Sequence, residues 1–163
     1  MTEIDKAALV KDLIAQAQTE LATLVLAAKN TREGATHEDA RPENDKDTRS
    51  TEASYLARGQ AKRVTELDHA VSLLKALPLR AFDKETPIAV GALVLLVDAD
   101  ERELWCFLSK GGGGLRSTVS GPQVQVTTPE SPLGQAMVGR TEGEDIEVLT
   151  GRGKREYSIS RVR

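Results

Sequence analysis

The sequence is poor in the side chains that most often build a site. One cysteine, Cys106, leaves no partner for an internal disulfide, and two histidines, His37 and His69, are too few for a Cys/His group of the structural-zinc kind. Five aromatic residues (Trp105, Tyr55, Tyr157, Phe82 and Phe107) among 163 offer little to stack bases on or to line an aromatic ligand pocket. No apolar run approaches the roughly 18 residues of a membrane span. The N-terminal MTEIDKAALVKDL has neither the basic start nor the unbroken apolar stretch of a signal peptide, so a soluble, cytoplasmic chain is expected. Neither sign of charge dominates: 22 basic against 25 acidic residues give a net charge of −3, which argues against bulk nucleic-acid binding and confines any such contact to a local feature.

What is present is periodicity. Val10, Ile14, Ala17, Leu21, Leu24 and Ala28 follow a 4-3-4-3-4 spacing, a heptad seam that predicts one long helix. Ala57, Gln60, Val64, Leu67, Val71 and Leu74 follow 3-4-3-4-3 and predict a second, with Gln60 the one polar residue on its seam and Pro78 stopping it. Each arm of about 30 residues would be roughly 45 Å long. The seams pair most simply with each other as an antiparallel coiled coil in a monomer; pairing between chains is the alternative.

The chain must reverse between the seams, within NTREGATHEDARPENDKDTRST. From Arg32 to Glu52 this stretch holds seven acids (Glu33, Glu38, Asp39, Glu43, Asp45, Asp47, Glu52) and four bases (Arg32, Arg41, Lys46, Arg49). A solvated hairpin end accounts for such a charge run. Carboxylates clustered on a rigid stalk also suit a hard divalent cation such as Mg²⁺, which takes oxygen ligands and keeps several waters.

The second half changes texture. IAVGALVLLVD, ELWCFL, QVQVTT, DIEVLT and REYSISRV are rich in β-branched residues and predict strands. Between them SPLGQAMVG predicts a short helix, with Ser131 as N-cap, Pro132 first in the helix and Gly139 just past its end. The organisation expected is a hairpin over 1–78 with an acidic tip at about 33–50, a linker over 79–87 flanked by prolines, and a strand-rich domain over 88–163. Gly111 to Gly114 lacks the Lys-Ser/Thr of a phosphate loop and is expected to be a flexible hairpin turn. Cys106, between Trp105 and Phe107, is expected in the core.

The run TPESPLGQAMVGRTEGEDIEVLTGRGKREYSISRV closely resembles the C-terminal signature of the GreA/GreB transcript cleavage factors: Ser-Pro-hydrophobic, a helix ending in Gly, Gly-Asp-x-hydrophobic-x-hydrophobic, and two closing strands. EDARPENDKDTRSTEASYLARGQAKRVTEL is similar to the family's hairpin tip, with Asp39, Glu43, Asn44 and Gly59 at the matching positions. The resemblance implies an α+β chain, an antiparallel coiled-coil hairpin followed by a small FKBP-like domain. It implies a factor that is not itself an enzyme, binds bacterial RNA polymerase, and inserts the hairpin into the secondary channel. There Asp39 and Glu43 would help hold a Mg²⁺ shared with the polymerase and promote cleavage of backtracked RNA near its 3′ end, no cofactor being bound in isolation.

One departure stands out. The family's tip acids are separated by two residues, whereas Ala40, Arg41 and Pro42 lie between Asp39 and Glu43, so Glu38 is an alternative first ligand. A secondary-channel regulator without cleavage stimulation is the corresponding alternative function. An FKBP-like prolyl isomerase is disfavoured by the scarcity of aromatics, and a purely structural coiled coil would require a multimer.

Overall fold

The computed structural model describes the backbone of residues 3–38 and 45–163, with the side chains of 3–30 and 58–163. Helix α1 runs Lys6–Glu38 and helix α2 Asp45–Lys75. They are followed by β1 (Leu93–Asp98), β2 (Glu103–Leu108), β3 (Arg116–Ser117), β4 (Val124–Thr127), α3 (Pro132–Met137), β5 (Asp145–Thr150) and β6 (Gly153–Val162).

Asp5 starts α1: its Oδ1 accepts from the amides of Ala7 at 2.9 Å and Ala8 at 3.2 Å, satisfying donors that have no partner within the helix. The two seams meet within the chain. Leu13 shares a cluster with Leu74, Ala17 with Leu67 and Val71, and Glu20 pairs with Arg63, so α2 numbers fall as α1 numbers rise and the helices are antiparallel. Gln60 keeps its place on the seam half-buried, its Oε1 accepting no hydrogen bond from the described residues. A lone polar group in a seam sets register at a cost in stability.

The most buried positions of α1 are not all on the heptad seam. Leu9 and Leu13, which the spacing did not select, are 1% and 0% exposed. They share a cluster with the sheet as well as with Leu74 of α2, so the base of α1 is apolar beyond its heptad seam. Leu9, Val10, Leu13 and Leu74 form one cluster with Leu93, Phe107, Val124 and Val126.

The sheet has six strands in the order β3-β4-β2-β1-β6-β5. All neighbours are antiparallel except β2 and β4, which run parallel with Trp105 opposite Val124 and Leu108 opposite Thr127. Alternation divides its side chains between two layers. Leu93 and Phe107 point toward the helical base, while Val94, Leu96, Cys106 and Leu108 meet Met137 of α3 together with Ile146, Val148 and Ile159. Covered on both sides, β1 reads as an unbroken apolar run.

α3 forms as its sequence predicts. The Ser131 hydroxyl accepts from the Gly134 amide at 3.1 Å, Pro132 opens the helix, and Gly139 past its end has φ of 82°. The stretch between α2 and β1 is more than a tether, because Phe82 and Ile88 are buried in the core and the Ile88 carbonyl accepts from the Gly139 amide at 2.9 Å.

The glycine run differs from the expected flexible turn. A parallel β2–β4 pair cannot be joined by a tight hairpin, and the long connection folds back on α2. A Cβ on Gly111 would lie 3.0 Å from the Ala70 Cα and 2.8 Å from Leu73 Cδ1, so a side chain here would force α2 and Leu73 to shift. The true hairpin here is β3–β4, with Ser117 opposite Val124.

Lys6 ties the start of α1 to the domain. Its Nζ donates to the carbonyls of Arg80 and Gly91, both at 2.9 Å, and lies 4.8 Å from the centroid of the Phe82 ring. Burial, aided by repulsion from Arg80, lowers its pKa from 10.5 to about 8. A neutral amine still has two N–H donors for the two carbonyls. Between those pH values the unfolded chain holds a proton that the folded chain has released, so this group makes stability rise with pH across the window.

Two tests follow from these contacts. In denaturant titrations, the stability of the wild type relative to Lys6→Met is expected to increase as pH is raised from about 8 to about 10.5; a constant difference would contradict the burial of this ammonium. Gly59, in an exposed stretch of α2 where a Cβ meets nothing described within 4 Å, and Gly111 are expected to respond oppositely to alanine. Gly59→Ala should raise stability by about 0.5–1 kcal/mol and Gly111→Ala should lower it by roughly 1–3 kcal/mol, both read from unfolding midpoints.

Candidate functional site

Antiparallel pairing puts the last residue of α1, Glu38, and the first of α2, Asp45, at the end of the hairpin away from the sheet. At 33 and 31 residues, the helices span roughly 45–50 Å at about 1.5 Å per residue. Asp39 and Glu43, with Ala40, Arg41, Pro42 and Asn44, lie outside the described residues. Glu38 is placed by its backbone alone, as are Asp45, Asp47 and Arg49 in the first turns of α2. Gly59 is in α2 and exposed.

The acids of 38–47 supply oxygen donors only, with no cysteine or histidine among them. Such a set fits a hard ion of the Mg²⁺ type and is a poor set for zinc or copper. Among the described residues no group of three or more His, Cys, Asp or Glu side chains is placed to hold a metal. His69 is exposed on α2.

What positions the distal end is the shaft. Beyond the apolar contacts of Ala17, Leu21 and Leu24 with Leu67 and Val71, Arg63 donates to both carboxylate oxygens of Glu20, Nε at 2.9 Å and Nη2 at 3.2 Å. That two-point contact fixes direction as well as distance. The hydrogen bond from Arg63 to Glu20, ahead of the opposing effect of burial, holds the guanidinium pKa above its ordinary value. Lower down, Asp12 accepts from Gln16 Nε2 at 2.7 Å and from the hydroxyl of Ser117, a buried residue of β3. Apart from the Asp12–Gln16 pair within one helix turn, these contacts, and those of Lys6, went unpredicted because they join residues far apart in the chain. Only the placement of Asp12 and Lys6 near the base of an amphipathic helix hinted at them.

The sheet domain offers no competing chemistry. Cys106 is fully buried, and burial pushes its thiol pKa up to about 11, so it is a core residue and a poor nucleophile. A groove of about 660 Å³ between α3 and strands β5 and β6 is rich in acids, but they are already engaged. Lys154 bridges Glu147 and Glu156, and Asp145 accepts from the Ser158 hydroxyl at 2.6 Å. The loop after α3 is built as tightly. Glu144 Oε2 accepts from the Thr141 amide at 2.6 Å, which together with Arg140 holds this carboxyl below the usual range, and Glu142 accepts from the Val162 amide at 3.0 Å.

Known proteins bear on this architecture. Residues 117–163 match the family model described as "Transcription elongation factor, GreA/GreB, C-term", covering β3 to the end of β6. The transcription elongation factor GreA of a Sulfurovum species is 27% identical over 100 residues, 61% of this chain and 58% of that protein. The GreA of Neisseria meningitidis serogroup B is 29% identical over 101 residues, 62% of this chain and 61% of its own length. The chain thus aligns with about three fifths of the length of these curated relatives. A solved structure of the transcription factor Gfh1 superposes with a TM-score of 0.42 at 19% identity, covering 96% of this chain and 94% of that one, too loosely to carry an argument. No helix of the described residues is long and apolar enough to cross a membrane. Residues 117–163 thus carry a GreA/GreB C-terminal signature on β3 to β6, and the chain is similar to curated GreA proteins over about 100 residues.

Proposed function

We propose that this chain is a transcription elongation factor that binds bacterial RNA polymerase in the cytoplasm and reaches the polymerase active site with the distal end of its hairpin. The observation that carries the reading is the GreA/GreB match of residues 117–163, on a chain whose N-terminal half is a paired-helix stalk with carboxylates at its sheet-distal end.

The stalk supplies reach. A paired-helix rod is slim enough to enter a channel that excludes the sheet domain, and two helices of about 45–50 Å give it length. On this reading Glu43 and Asp39, with Glu38 as the substitute for Asp39, hold a Mg²⁺ shared with the polymerase's own acids. Bound there, the ion supplies Lewis acidity and an activated water for phosphodiester hydrolysis of backtracked RNA near its 3′ end. The chemistry belongs to the polymerase, and the factor contributes ligands and their orientation. Two carboxylates from one tip suit an ion that takes only one or two protein oxygens and keeps waters.

One observation favours a second reading. Asp39 and Glu43 stand one residue further apart than the family's tip pair, and a pair that fails to converge on one ion would leave docking intact and remove cleavage stimulation. The protein would then be a regulator occupying the secondary channel.

RNA release from a stalled, backtracked bacterial elongation complex in Mg²⁺ separates the readings. The wild type is expected to accelerate cleavage. Glu43→Ala should reduce the acceleration by about tenfold or more while polymerase binding persists, and Asp39→Ala should do likewise. A wild type that binds but leaves the RNA intact supports the regulator instead, and one that does not bind polymerase defeats both.

A further inference from the structure

The start of α1, the stretch after α2, and strands β1, β2 and β6 enclose a cleft of about 530 Å³ on the side of the domain opposite the acidic groove. Its volume is in the range of small-ligand sites. In a chain of net charge −3, it is lined by four cations, Lys6, Arg80, Arg161 and Arg163, and by one acidic side chain, Glu3. Leu79, 45% exposed, and the half-buried Trp105 form an apolar wall beside them.

Two of these cations are held in an unusual way. Arg63, Arg102, Arg140 and Lys154 elsewhere, and Arg163 in the cleft itself, each lie within 4.0 Å of a carboxylate. Among the described residues no carboxylate lies that close to Lys6 or Arg80. Both instead sit over one aromatic ring, at 4.8 and 4.6 Å from the Phe82 centroid. Like charges brought together repel, as Lys6 and Arg80 do, and an anion bound beside them offsets that repulsion. Lys6 uses two of its three N–H donors on the carbonyls of Arg80 and Gly91, and Arg80 presents a planar fork of donors. A phosphate group, with three acceptor oxygens, offers acceptors to donors of both kinds.

We propose that this cleft binds a small phosphate ester with a flat organic part, a nucleotide in chemical class, its phosphates on Lys6 and Arg80 and its ring against Trp105 and Leu79. The site is remote in sequence from the hairpin acids and stands whether or not those acids act on RNA.

Trp105 is the only tryptophan of the chain, so its emission reports this cleft alone. The full-length protein is titrated with ATP and with inorganic tripolyphosphate, following Trp105 fluorescence and binding heat. Both are expected to bind, ATP about tenfold more tightly because its base adds a stacking contact, and both more weakly as salt rises. Arg80→Gln, which leaves the carbonyl that receives Lys6 in place, should weaken both by about tenfold or more with an unchanged melting temperature, and Lys6→Met should act in the same direction. The proposal is overturned by the absence of any response at millimolar ligand, or by responses that survive both substitutions. Equal affinity for ATP and tripolyphosphate would overturn the assignment of Trp105 and Leu79 to an organic part.

Discussion

Everything in this molecule depends on one shared apolar contact, the seating of Leu9, Leu13 and Leu74 on Leu93, Phe107, Val124 and Val126. A two-helix coil with a narrow seam buries little surface alone, and a sheet with one uncovered apolar face would be exposed to aggregation. Each part covers the other's deficit. Removing a fully buried leucine from such a contact costs about 2–5 kcal/mol, a large part of a domain's net stability. The consequence is directional: the hairpin leaves the sheet along a line set by packed side chains, so the position of its far end is determined at its near end.

A ring of polar contacts sharpens that direction. Lys6 binds two carbonyls of the stretch between α2 and β1, Asp12 bridges Gln16 and Ser117, and Gly111 lets the β2–β3 connection lie against Ala70. Each alone is worth little. Together they tie the base of the hairpin to β3 and to the segments flanking β1 and β2, which leaves little freedom to rock. The bidentate Glu20–Arg63 pair serves the same end further along the shaft, where apolar contact is thinner.

Much of this was legible in the chain. Heptad spacing found the two helices and their mutual face, and the Ser131, Pro132 and Gly139 signals found α3, because these are local properties that neighbouring residues encode. The further apolar side of α1 was hidden, since the burial of Leu9 and Leu13 depends on a sheet that begins 80 or more residues away in sequence. The parallel β2–β4 pair was hidden for the same reason, as was the role of Gly111, whose neighbour in space is Ala70. For the hairpin acids, residue type argued for a hard cation, and the resemblance to GreA/GreB factors singled out Asp39 and Glu43. Both lie outside the described residues, so their convergence on one ion rests on the proposal.

The functional reading joins a rigid base to a charged far end. Its most direct test is proximity rather than rate. With Fe²⁺ in place of Mg²⁺ in a bacterial elongation complex, radicals generated at the catalytic ion cut whatever protein backbone lies beside it. Cuts in this chain confined to residues 38–47, and formed only when polymerase is present, are the expected result. Cuts in the sheet domain, or none in the chain despite stable binding, would contradict delivery of the hairpin acids to the polymerase metal.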